Sequence, residues 1–432
     1  MGQSKKDGRT EKIMFCNRLN GKCRITCFQG YLSPGKAHFY TRIGIIAISF
    51  LFLLEAGCIK ALSGQGSVGY EDNKVTKKYA GFRPGDIWKD NNGLHINAHG
   101  GGLLFYSDKY YWFGEHKIKG RKGNRAQVGV HCYSSRDLYN WIDEGIVLKV
   151  SDDPASDIAK GCVLERPKVL YNKKTGKFAM WFHLELKGQG YSSARSGVAV
   201  SNTPAGTYTF IRSFRPNAQL WPVNVTQEQK KPIDPGKYKD KKFSGGPEPT
   251  LKDYNILGRD YKTGQMARDM TLFVDDDDKA YHIYASEENS TLHISLLSDD
   301  YTEPAGKFIR VFENRWMEAP AICKRNGKYY LIASGCTGWA PNAARSAVAD
   351  SIWGPWKELG NPCLGQGRDK TFGGQSTYIL KVADRQDAYI GLFDIWHPRN
   401  ALDGRYMWLP IEFTAGGIQI RYLQQWDLSY FD

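Results

Sequence analysis

The chain has 432 residues and a formal net charge of +14; 13% of its residues are aromatic and 46 are glycine. The charge does not indicate a nucleic-acid partner, because half of it (+7, ten Lys/Arg against three Asp/Glu) lies in residues 1–60 and no basic stripe is interleaved with aromatic residues. Long apolar runs at a helical period are scarce, so the composition favours an all-β protein with many turns. The nine cysteines form no C-x-x-C pair, so no zinc site is predicted.

The first 58 residues are interpreted as a leader and not as part of the folded domain. Residues 1–42 are polar and basic, and the apolar run at 43–54 is too short for a comfortable membrane span but typical of a signal-peptide core. The run ends in Leu54-Glu55-Ala56-Gly57-Cys58, which resembles a bacterial lipoprotein cleavage box. We therefore expect export to the periplasm or cell surface, with a lipid on Cys58 or the signal segment itself as the only membrane anchor.

A flexible tether is predicted at 59–80, and one folded domain at 81–432. The main feature of this domain is a unit that recurs five times, in which an apolar strand, a turn and an aromatic strand follow one another. The units are Gly102–Tyr106 with Tyr110–Gly114, Pro167–Tyr171 with Phe178–Phe182, Met270–Val274 with Ala280–Tyr284, Ala321–Lys324 with Tyr329–Ile332, and Ser376–Leu380 with Ala388–Phe393. Five such hairpins predict a five-bladed β-propeller.

Two further features lie between these hairpins. A recurring pattern rich in Ser, Asp and Trp is interpreted as the outer strands of the blades; its copies are at 135–141, 201–208, 298–308 and 350–356. The widest gap in the repeat contains 216–264, a polar segment rich in Pro, Gly and Lys, which predicts a long loop insertion on one face, where it could lie near the site. Cys323 and Cys336 flank the fourth hairpin and could form either a disulfide or a pair of buried thiols.

Polar side chains stand next to the entrances of the inner strands, where burying them costs stability unless they are used. A propeller gathers its inner strands around one axis, so residues at the same place in each repeat are expected to converge. These residues are His99, Glu115 after the first hairpin, Glu165, Arg166, Arg268, Asp269, Glu318 and Gln375. Titratable groups that converge in a central cleft are typical of an active site, although an ion network lining the channel is the structural alternative.

Glu318 stands between apolar residues in Trp316–Pro320, at the start of the fourth hairpin. Desolvation there is expected to raise the pKa of its carboxyl, as a general acid requires. An ordinary surface glutamate at a strand end is the alternative when this stretch is taken alone.

The sequence resembles glycoside hydrolase family 43, and within it the exo-β-1,3-galactanase branch, in short stretches spread over residues 88–430. These stretches are Asn97–Gly102, Trp112–Glu115, Glu165–Lys168, Arg268–Met270, Glu318–Pro320, Gly335–Asn342 and Gly374–Thr377. The resemblance implies a five-bladed propeller that hydrolyses glycosidic bonds with inversion and removes β-1,3-linked galactose from a plant-type arabinogalactan. We expect a monomer that requires no cofactor.

The resemblance also implies roles for particular residues. Glu318 would be the general acid, and Asp269 would raise its pKa and orient it. Family members usually carry an Asp at the first strand to activate water, but the matching stretch at 99–102 has none. The galactanase branch shares this gap and has a glutamine at the position of Gln375, which could position the water, in its imidic tautomer. Further polar side chains would bind the sugar hydroxyls: Glu115, Glu165, Arg166, Tyr191, Thr337 and His99.

No metal-ligand set is predicted, since Asp275–Asp278 lacks the glycine of an EF-hand loop and fits a charged hairpin turn. A structural cation near the propeller axis is compatible with the resemblance, and His397 could approach the axis, although a core or rim histidine is the favoured interpretation. Two rival functions are an α-L-arabinofuranosidase or β-xylosidase of the same architecture, and a sugar-binding propeller without catalytic activity.

Overall fold

The computed structural model describes residues 78–432 and, nearer the N terminus, the backbone of two short strands. These are β1 (Met14–Leu19) and β2 (Lys22–Cys27), which pair antiparallel in a unit of their own. The predicted signal-peptide core at 43–54, the cleavage box ending at Cys58 and all but the last residues of the predicted tether lie outside the described residues. In the part of the chain that is described, no helix is long and apolar enough to span a membrane.

Most of the chain forms five antiparallel sheets arranged as the predicted five-bladed β-propeller. The first blade contains β3 (His99–Tyr106), β4 (Lys109–His116), β5 (Gly129–Ser135) and β6 (Ile142–Lys149), and the second contains β7 (Val163–Asn172), β8 (Lys177–Glu185), β9 (Arg195–Ser201) and β10 (Thr209–Phe214). The third contains β11 (Met270–Val274), β12 (Ala280–Ser286), β13 (Thr291–Leu297) and β14 (Pro304–Val311), and the fourth contains β15 (Met317–Arg325), β16 (Lys328–Gly335), β17 (Arg345–Ala349) and β18 (Lys357–Gly360). The fifth contains β19 (Cys363–Leu364), β20 (Gln375–Lys381), β21 (Tyr389–Ile395), β22 (Arg405–Thr414) and β23 (Gly417–Arg421). Short β19 joins the last blade by pairing parallel with β23. Every predicted hairpin forms an inner strand and its neighbour, so the interpretation of the repeat is confirmed.

The segments interpreted as outer strands are mainly the turns that join the third and fourth strands of the blades, so that interpretation was wrong except at 304–308, which begins β14. In the first of these turns, Asp137 Oδ1 accepts hydrogen bonds from the backbone N–H groups of Tyr139 (2.9 Å) and Asn140 (2.8 Å). Short polar side chains recur at these positions because they satisfy backbone groups that a turn leaves unpaired.

Helices are few and short among the described residues. They are α1 (Ile256–Arg259) and 3-10 turns at Arg121–Asn124, Pro235–Tyr238, Pro249–Asp253, Arg368–Gly373, Ala401–Asp403 and Leu428–Phe431. The segment at 216–264 lies between β10 and β11 and contains α1 and two of these turns. A Cβ atom built on Gly245 would lie 3.1 Å from Nη1 of Arg268, so this part of the segment approaches the entrance of the third blade.

An aromatic cluster packs the first blade against the last. The rings of Trp112 in β4 and Trp408 in β22 have centroids 4.8 Å apart, and those of Phe82 and Trp426 are 4.4 Å apart. All four side chains are buried, and the backbone N–H of Phe82 donates to the carbonyl of Trp426 at 2.7 Å. Because each aromatic side chain buries a large apolar area, this cluster stabilises the closure of the ring of blades.

Candidate active site

The polar side chains at the strand entrances meet in one open cavity with a volume of about 210 Å³. It is lined by Glu115, Asn124, Glu165, Arg166, Tyr191, Asp269, Glu318, Gly338, Trp339, Gln375 and Trp396. Residues from all five blades therefore contribute to it, as the convergence argument predicts. Of the residues predicted from the sequence to converge here or to bind sugar, His99, Arg268 and Thr337 do not line this cavity.

Backbone bulges at the entrances of the inner strands direct these side chains. The pairing register shifts after His99, after Glu165 and after Glu318, so the inner strand of three blades is irregular at the same place. The residue that follows has a left-handed backbone in each case: Gly100 at φ 59°, Arg166 at φ 57° and Ala319 at φ 52°. A bulge re-aims the neighbouring side chains, and here it directs them to the cavity and not along the sheet.

Arg166 joins its own blade to three others at the cavity. Its Nη2 donates to Asp269 Oδ2 at 2.9 Å and to Gln375 Oε1 at 2.7 Å, while Nη1 donates to the carbonyl of Ser376 at 3.1 Å. The backbone N–H of Arg166 donates to Glu115 Oε1 at 2.9 Å. Both terminal guanidinium nitrogens therefore already donate hydrogen bonds to protein acceptors. The main role of Arg166 is to position these neighbours, and contact with a bound sugar is secondary.

The amide of Gln375 is fixed in one orientation. Its Oε1 accepts from Arg166 and from Trp396 Nε1 at 2.8 Å, and its Nε2 donates to Ser334 Oγ at 2.9 Å. The imidic tautomer requires a hydrogen on this oxygen, where two donors already point, so the geometry favours the ordinary amide. Nε2 carries two hydrogens and donates only one of them to Ser334, so one N–H is left to orient a water molecule.

Glu318 is kept uncharged by its surroundings. Burial, reinforced by the negative charge of Asp269, raises the pKa of its carboxyl to about 8, although the Cys336 thiol and nearby arginines act in the opposite direction. Asn289 Nδ2 donates to Glu318 Oε1 at 3.0 Å. Cys336 is a free buried thiol, as is Cys323, so the two do not form the disulfide that was one alternative. A carboxyl that stays protonated near neutral pH is able to donate a proton.

Glu165 has the opposite character, because it is held as a carboxylate. Its Oε1 accepts from Asn124 Nδ2 at 2.9 Å and from the Tyr191 hydroxyl at 2.7 Å. His183 lies between Glu165 and Glu185, with ring nitrogens 3.0 Å and 2.9 Å from their carboxylates. Burial alone would lower the pKa of His183, but these two hydrogen bonds raise it to about 10, and the same contact holds the pKa of Glu165 well below its usual range despite burial. Glu165 is thus a fixed anionic acceptor at the cavity wall.

The predicted structural cation near the axis stays a prediction. Glu165, His183 and Asp269 present ligand atoms within 4.8 Å of one another, which is a spacing that a cation could use. Both ring nitrogens of His183, however, already contact carboxylates. His397 lies at the rim, 39% exposed, with Nδ1 3.1 Å from Asp403 Oδ2, in agreement with the favoured interpretation of that residue.

Two predicted sugar-binding residues do not line the cavity. His99 is completely buried and stacks on Tyr406 with ring centroids 5.3 Å apart, so it cannot contact a sugar in the cavity. The Thr337 hydroxyl donates to the carbonyl of Ala340 at 2.6 Å, which closes a turn. That turn directs the two following residues, Gly338 and Trp339, into the cavity in place of Thr337.

The glycine stretch at 99–102 is explained by two buried side chains, Lys168 and Asp394, that contact its backbone. Lys168 Nζ donates to the carbonyl of Gly100 at 3.0 Å, and the backbone N–H of Gly100 donates to the carboxyl of Asp394. A Cβ atom on Gly100 would lie 2.3 Å from Glu115 Oε1, and one on Gly102 would lie 2.4 Å from Lys168 Cδ. The space that an aspartate would need at the first strand is therefore already filled.

Sequence reasoning missed the aromatic wall of the cavity and the two buried ionisable side chains that contact Gly100. Trp339 and Trp396 form the wall, with ring centroids 5.7 Å apart at an interplanar angle of 75°. Lys168 and Asp394 are buried, and desolvation moves both pKa values to about 7, downward for the lysine and upward for the aspartate. A signal was present in each case, since Lys168 interrupts an apolar strand and Asp394 lies between Phe393 and Ile395.

Comparison with known proteins agrees with this geometry. A family model described as glycosyl hydrolases family 43 matches residues 251–390. A solved family 43 β-1,3-galactosidase, in complex with galactodeoxynojirimycin, is 52% identical, with a TM-score of 0.76, over 80% of this chain and 100% of its own. This chain belongs to glycoside hydrolase family 43. It is therefore an enzyme that hydrolyses O-glycosyl bonds.

Two other relatives have lower sequence identity to this chain. An exo-β-1,3-galactanase from Phanerochaete chrysosporium, solved with β-1,3-galactotriose, is 31% identical with a TM-score of 0.64, over 80% of this chain and 68% of its own. A β-D-galactofuranosidase from Aspergillus niger is 27% identical over 169 residues, which are 38% of this chain and 47% of the relative. The present chain thus spans about half the length of the Aspergillus niger relative.

The charge of His183 gives a test of the site's electrostatics. The imidazolium is favoured in the folded state, so its stabilising contribution is complete below the unfolded pKa of about 6.5 and is lost as the pH rises through about 10. We expect the difference in unfolding free energy between the wild type and His183→Gln, measured by urea denaturation, to be largest near pH 6 and to shrink steadily towards pH 10.

His282 in β12 provides the matched control, because it is equally buried but burial lowers its pKa to about 3. Folded His282 is neutral between pH 7 and pH 10, so the difference in unfolding free energy between the wild type and His282→Gln should stay constant over that pH range. A constant difference for His183→Gln as well would show that the imidazole is neutral.

Proposed function

We propose that this family 43 enzyme is an inverting exo-galactosidase that removes β-1,3-linked galactose from the end of a galactan backbone of the arabinogalactan type. One observation carries the proposal: Asp269, Glu318 and Gln375 converge on one cavity in which the Glu318 carboxyl is kept protonated. The activities of two relatives, a β-1,3-galactosidase and an exo-β-1,3-galactanase, supply the substrate class.

In this proposal Glu318 is the general acid that protonates the leaving glycosidic oxygen. Asp269 keeps the proton on Glu318, because its own charge opposes ionisation of the neighbouring carboxyl. Gln375 orients the attacking water with its remaining N–H, on the side of the sugar ring opposite the acid. As the water oxygen bonds to the anomeric carbon and the bond to the leaving oxygen breaks, the proton that the water gives up passes to solvent through the open cavity. An inverting enzyme needs room for that water, with its two acting groups roughly 6.5–9.5 Å apart, and groups from different blades can supply the gap.

The cavity wall supplies groups that suit a sugar. Glu165 and Glu115 offer carboxylate oxygens to hydroxyl donors, and Tyr191 holds Glu165 in place. The rings of Trp339 and Trp396 offer apolar faces on which the C–H side of a pyranose can stack. A second cavity of about 180 Å³ shares Asn124, Tyr191 and both tryptophans with the first. We assign it to the sugar unit on the leaving-group side of the cleaved bond.

We also propose that the enzyme is exported and held at the surface by a lipid on Cys58. The apolar run at 43–54 and the cleavage-like box that follows it support this proposal. Fractionation of cells that express the full chain tests it: the enzyme should be found with membranes, and Cys58→Ala should move it to the soluble exported fraction. Recovery of the unprocessed chain from the cytoplasm would contradict export.

Replacement of the acid tests the assignment of Glu318. Glu318→Gln removes the transferable proton, so turnover of β-1,3-galactobiose should fall by about 10²–10⁴, the usual contribution of general acid catalysis. Because the acid must be protonated, wild-type activity should fall as the pH rises through about 8. Near-normal turnover by Glu318→Gln on this substrate would show that another group is the acid.

Replacement of the uncharged Gln375 tests the positioning of water. Gln375→Ala should lose most of the turnover, while KM changes less, because the amide contacts the attacking water more than the bound sugar. Proton NMR of the first product should show the α-anomer of galactose, since inversion converts a β-linkage into an α-product. Unchanged turnover would transfer the role to Glu115 or Glu165, and a β-anomer would contradict inversion.

The rival activities are separated by substrate. Galactose released from β-1,3-galactan, with no arabinose from arabinan and no xylose from xylan, distinguishes the proposed activity from an α-L-arabinofuranosidase or a β-xylosidase. Tight binding of β-1,3-galactobiose without any hydrolysis would instead favour the non-catalytic propeller.

A further inference from the structure

A strained turn lies directly beside the proposed acid. Three consecutive residues between β12 and β13 have left-handed backbones: Glu287 at φ 50°, Glu288 at φ 60° and Asn289 at φ 67°. Asparagine tolerates this conformation, but glutamate does so at a cost, and such strain persists only where the surroundings impose it. The turn must therefore be held by strong contacts.

Three arginines, of which Arg268 and Arg310 are buried and Arg259 is half-buried, provide these contacts. Glu287 accepts from Arg310 Nε at 2.6 Å and Nη2 at 2.7 Å, and its Oε1 is 2.7 Å from His293 Nε2. Glu288 accepts from Arg259 Nη1 at 2.8 Å and from Arg268 Nη2 at 3.3 Å. Bidentate and charge-assisted pairs of this kind have a fixed geometry, so the backbone of the turn is locked from both sides.

The third residue of the turn, Asn289, is held by this rigid backbone in contact with Glu318. Asn289 Nδ2 donates both to the carbonyl of Gly245 at 2.9 Å and to Glu318 Oε1 at 3.0 Å. A carbonyl oxygen can only accept, so the contact with Gly245 fixes which end of the amide is the nitrogen. The segment at 216–264, which supplies Gly245, thus sets the orientation of the amide that contacts the acid.

We infer that Asn289 is a positioning residue that keeps the transferable proton on Oε2 of Glu318, and that Gly245 holds Asn289 in that role. An oxygen that already accepts from an amide N–H is the poorer place for the carboxyl hydrogen. The proton is therefore kept on the other oxygen, which is left to face the leaving group. The inference rests on the proposed role of Glu318 as the acid.

The direction of the pH effect follows from the groups around Glu318. Asp269 faces it from the third blade, Arg166 and Arg268 face it as cations, and the Cys336 thiol lies against the carboxyl. A hydrogen bond donated to a carboxylate favours the charged form. Removing the Asn289 donor should therefore raise the pKa of Glu318 and move the alkaline limb of the activity profile to higher pH, while the plateau of kcat falls.

The experiment compares Asn289→Ala and the isosteric Asn289→Asp with the wild type on two substrates. On β-1,3-galactobiose, kcat should fall by about 10- to 100-fold, within the range of acid catalysis, with little change in KM. On an aryl β-galactoside with a good leaving group, which needs no protonation, the loss should be several-fold smaller. Asn289→Asp should move the alkaline limb furthest, because it adds a negative charge beside Glu318.

Asn217 provides a matched control in the same region. It also has a left-handed backbone (φ 58°) and is buried, and its Nδ2 also donates to two acceptors, Tyr284 and Ser295, without reaching Glu318. Asn217→Ala should lower the melting temperature about as much as Asn289→Ala but leave the pH profile and the ratio of rates on the two substrates unchanged.

The outcomes separate this inference from the proposed function. Equal losses on both substrates for Asn289→Ala, or an unshifted alkaline limb, would overturn the inference even if Glu318→Gln is inactive. An active Glu318→Gln would instead overturn the assignment of the acid itself, whatever Asn289→Ala does.

Discussion

The site depends on one buried cation, the guanidinium of Arg166. A charge without partners in this position would be strongly destabilising, and Arg166 is held by Asp269, Gln375 and the carbonyl of Ser376. Its guanidinium also lies 5.4 Å from the ring centroid of Trp396. The same contacts that satisfy the charge fix the amide, the carboxylate and one aromatic wall relative to one another. The left-handed backbone of Arg166, in a bulge, is what brings it to the axis.

Around this cation, two glutamates acquire opposite properties. Glu165 is ionised because His183 faces it as an imidazolium and because Asn124 and Tyr191 donate to it. Glu318 stays protonated because burial and the charge of Asp269 both oppose its ionisation. The difference arises from the neighbours and not from the residue type, since both stand at the same bulge position of their blades. One fold thus places an anionic acceptor and a proton donor at a single cavity.

The sequence predicts the hairpins well, because each inner pair of strands is local and marked by alternating apolar and aromatic residues around a turn. It also predicts which entrances carry polar side chains, and most of these meet in the cavity. It does not predict the bulges, which depend on pairing across strands and decide that His99 is buried while Arg166 reaches the cavity. Trp339 was missed because its position depends on the turn closed by Thr337, and Asp394 because its partner, Gly100, lies far away in sequence.

The central claim is that one cavity holds the sugar between Glu318 and Gln375. A crystal structure of the slow Glu318→Gln variant soaked with β-1,3-galactobiose tests it most directly. We predict the terminal galactose in the cavity, the bridging oxygen within hydrogen-bond distance of residue 318, and a water on the opposite side of the ring held by Gln375. A disaccharide bound elsewhere, or in the cavity with its bridging oxygen turned away from residue 318, would contradict the account.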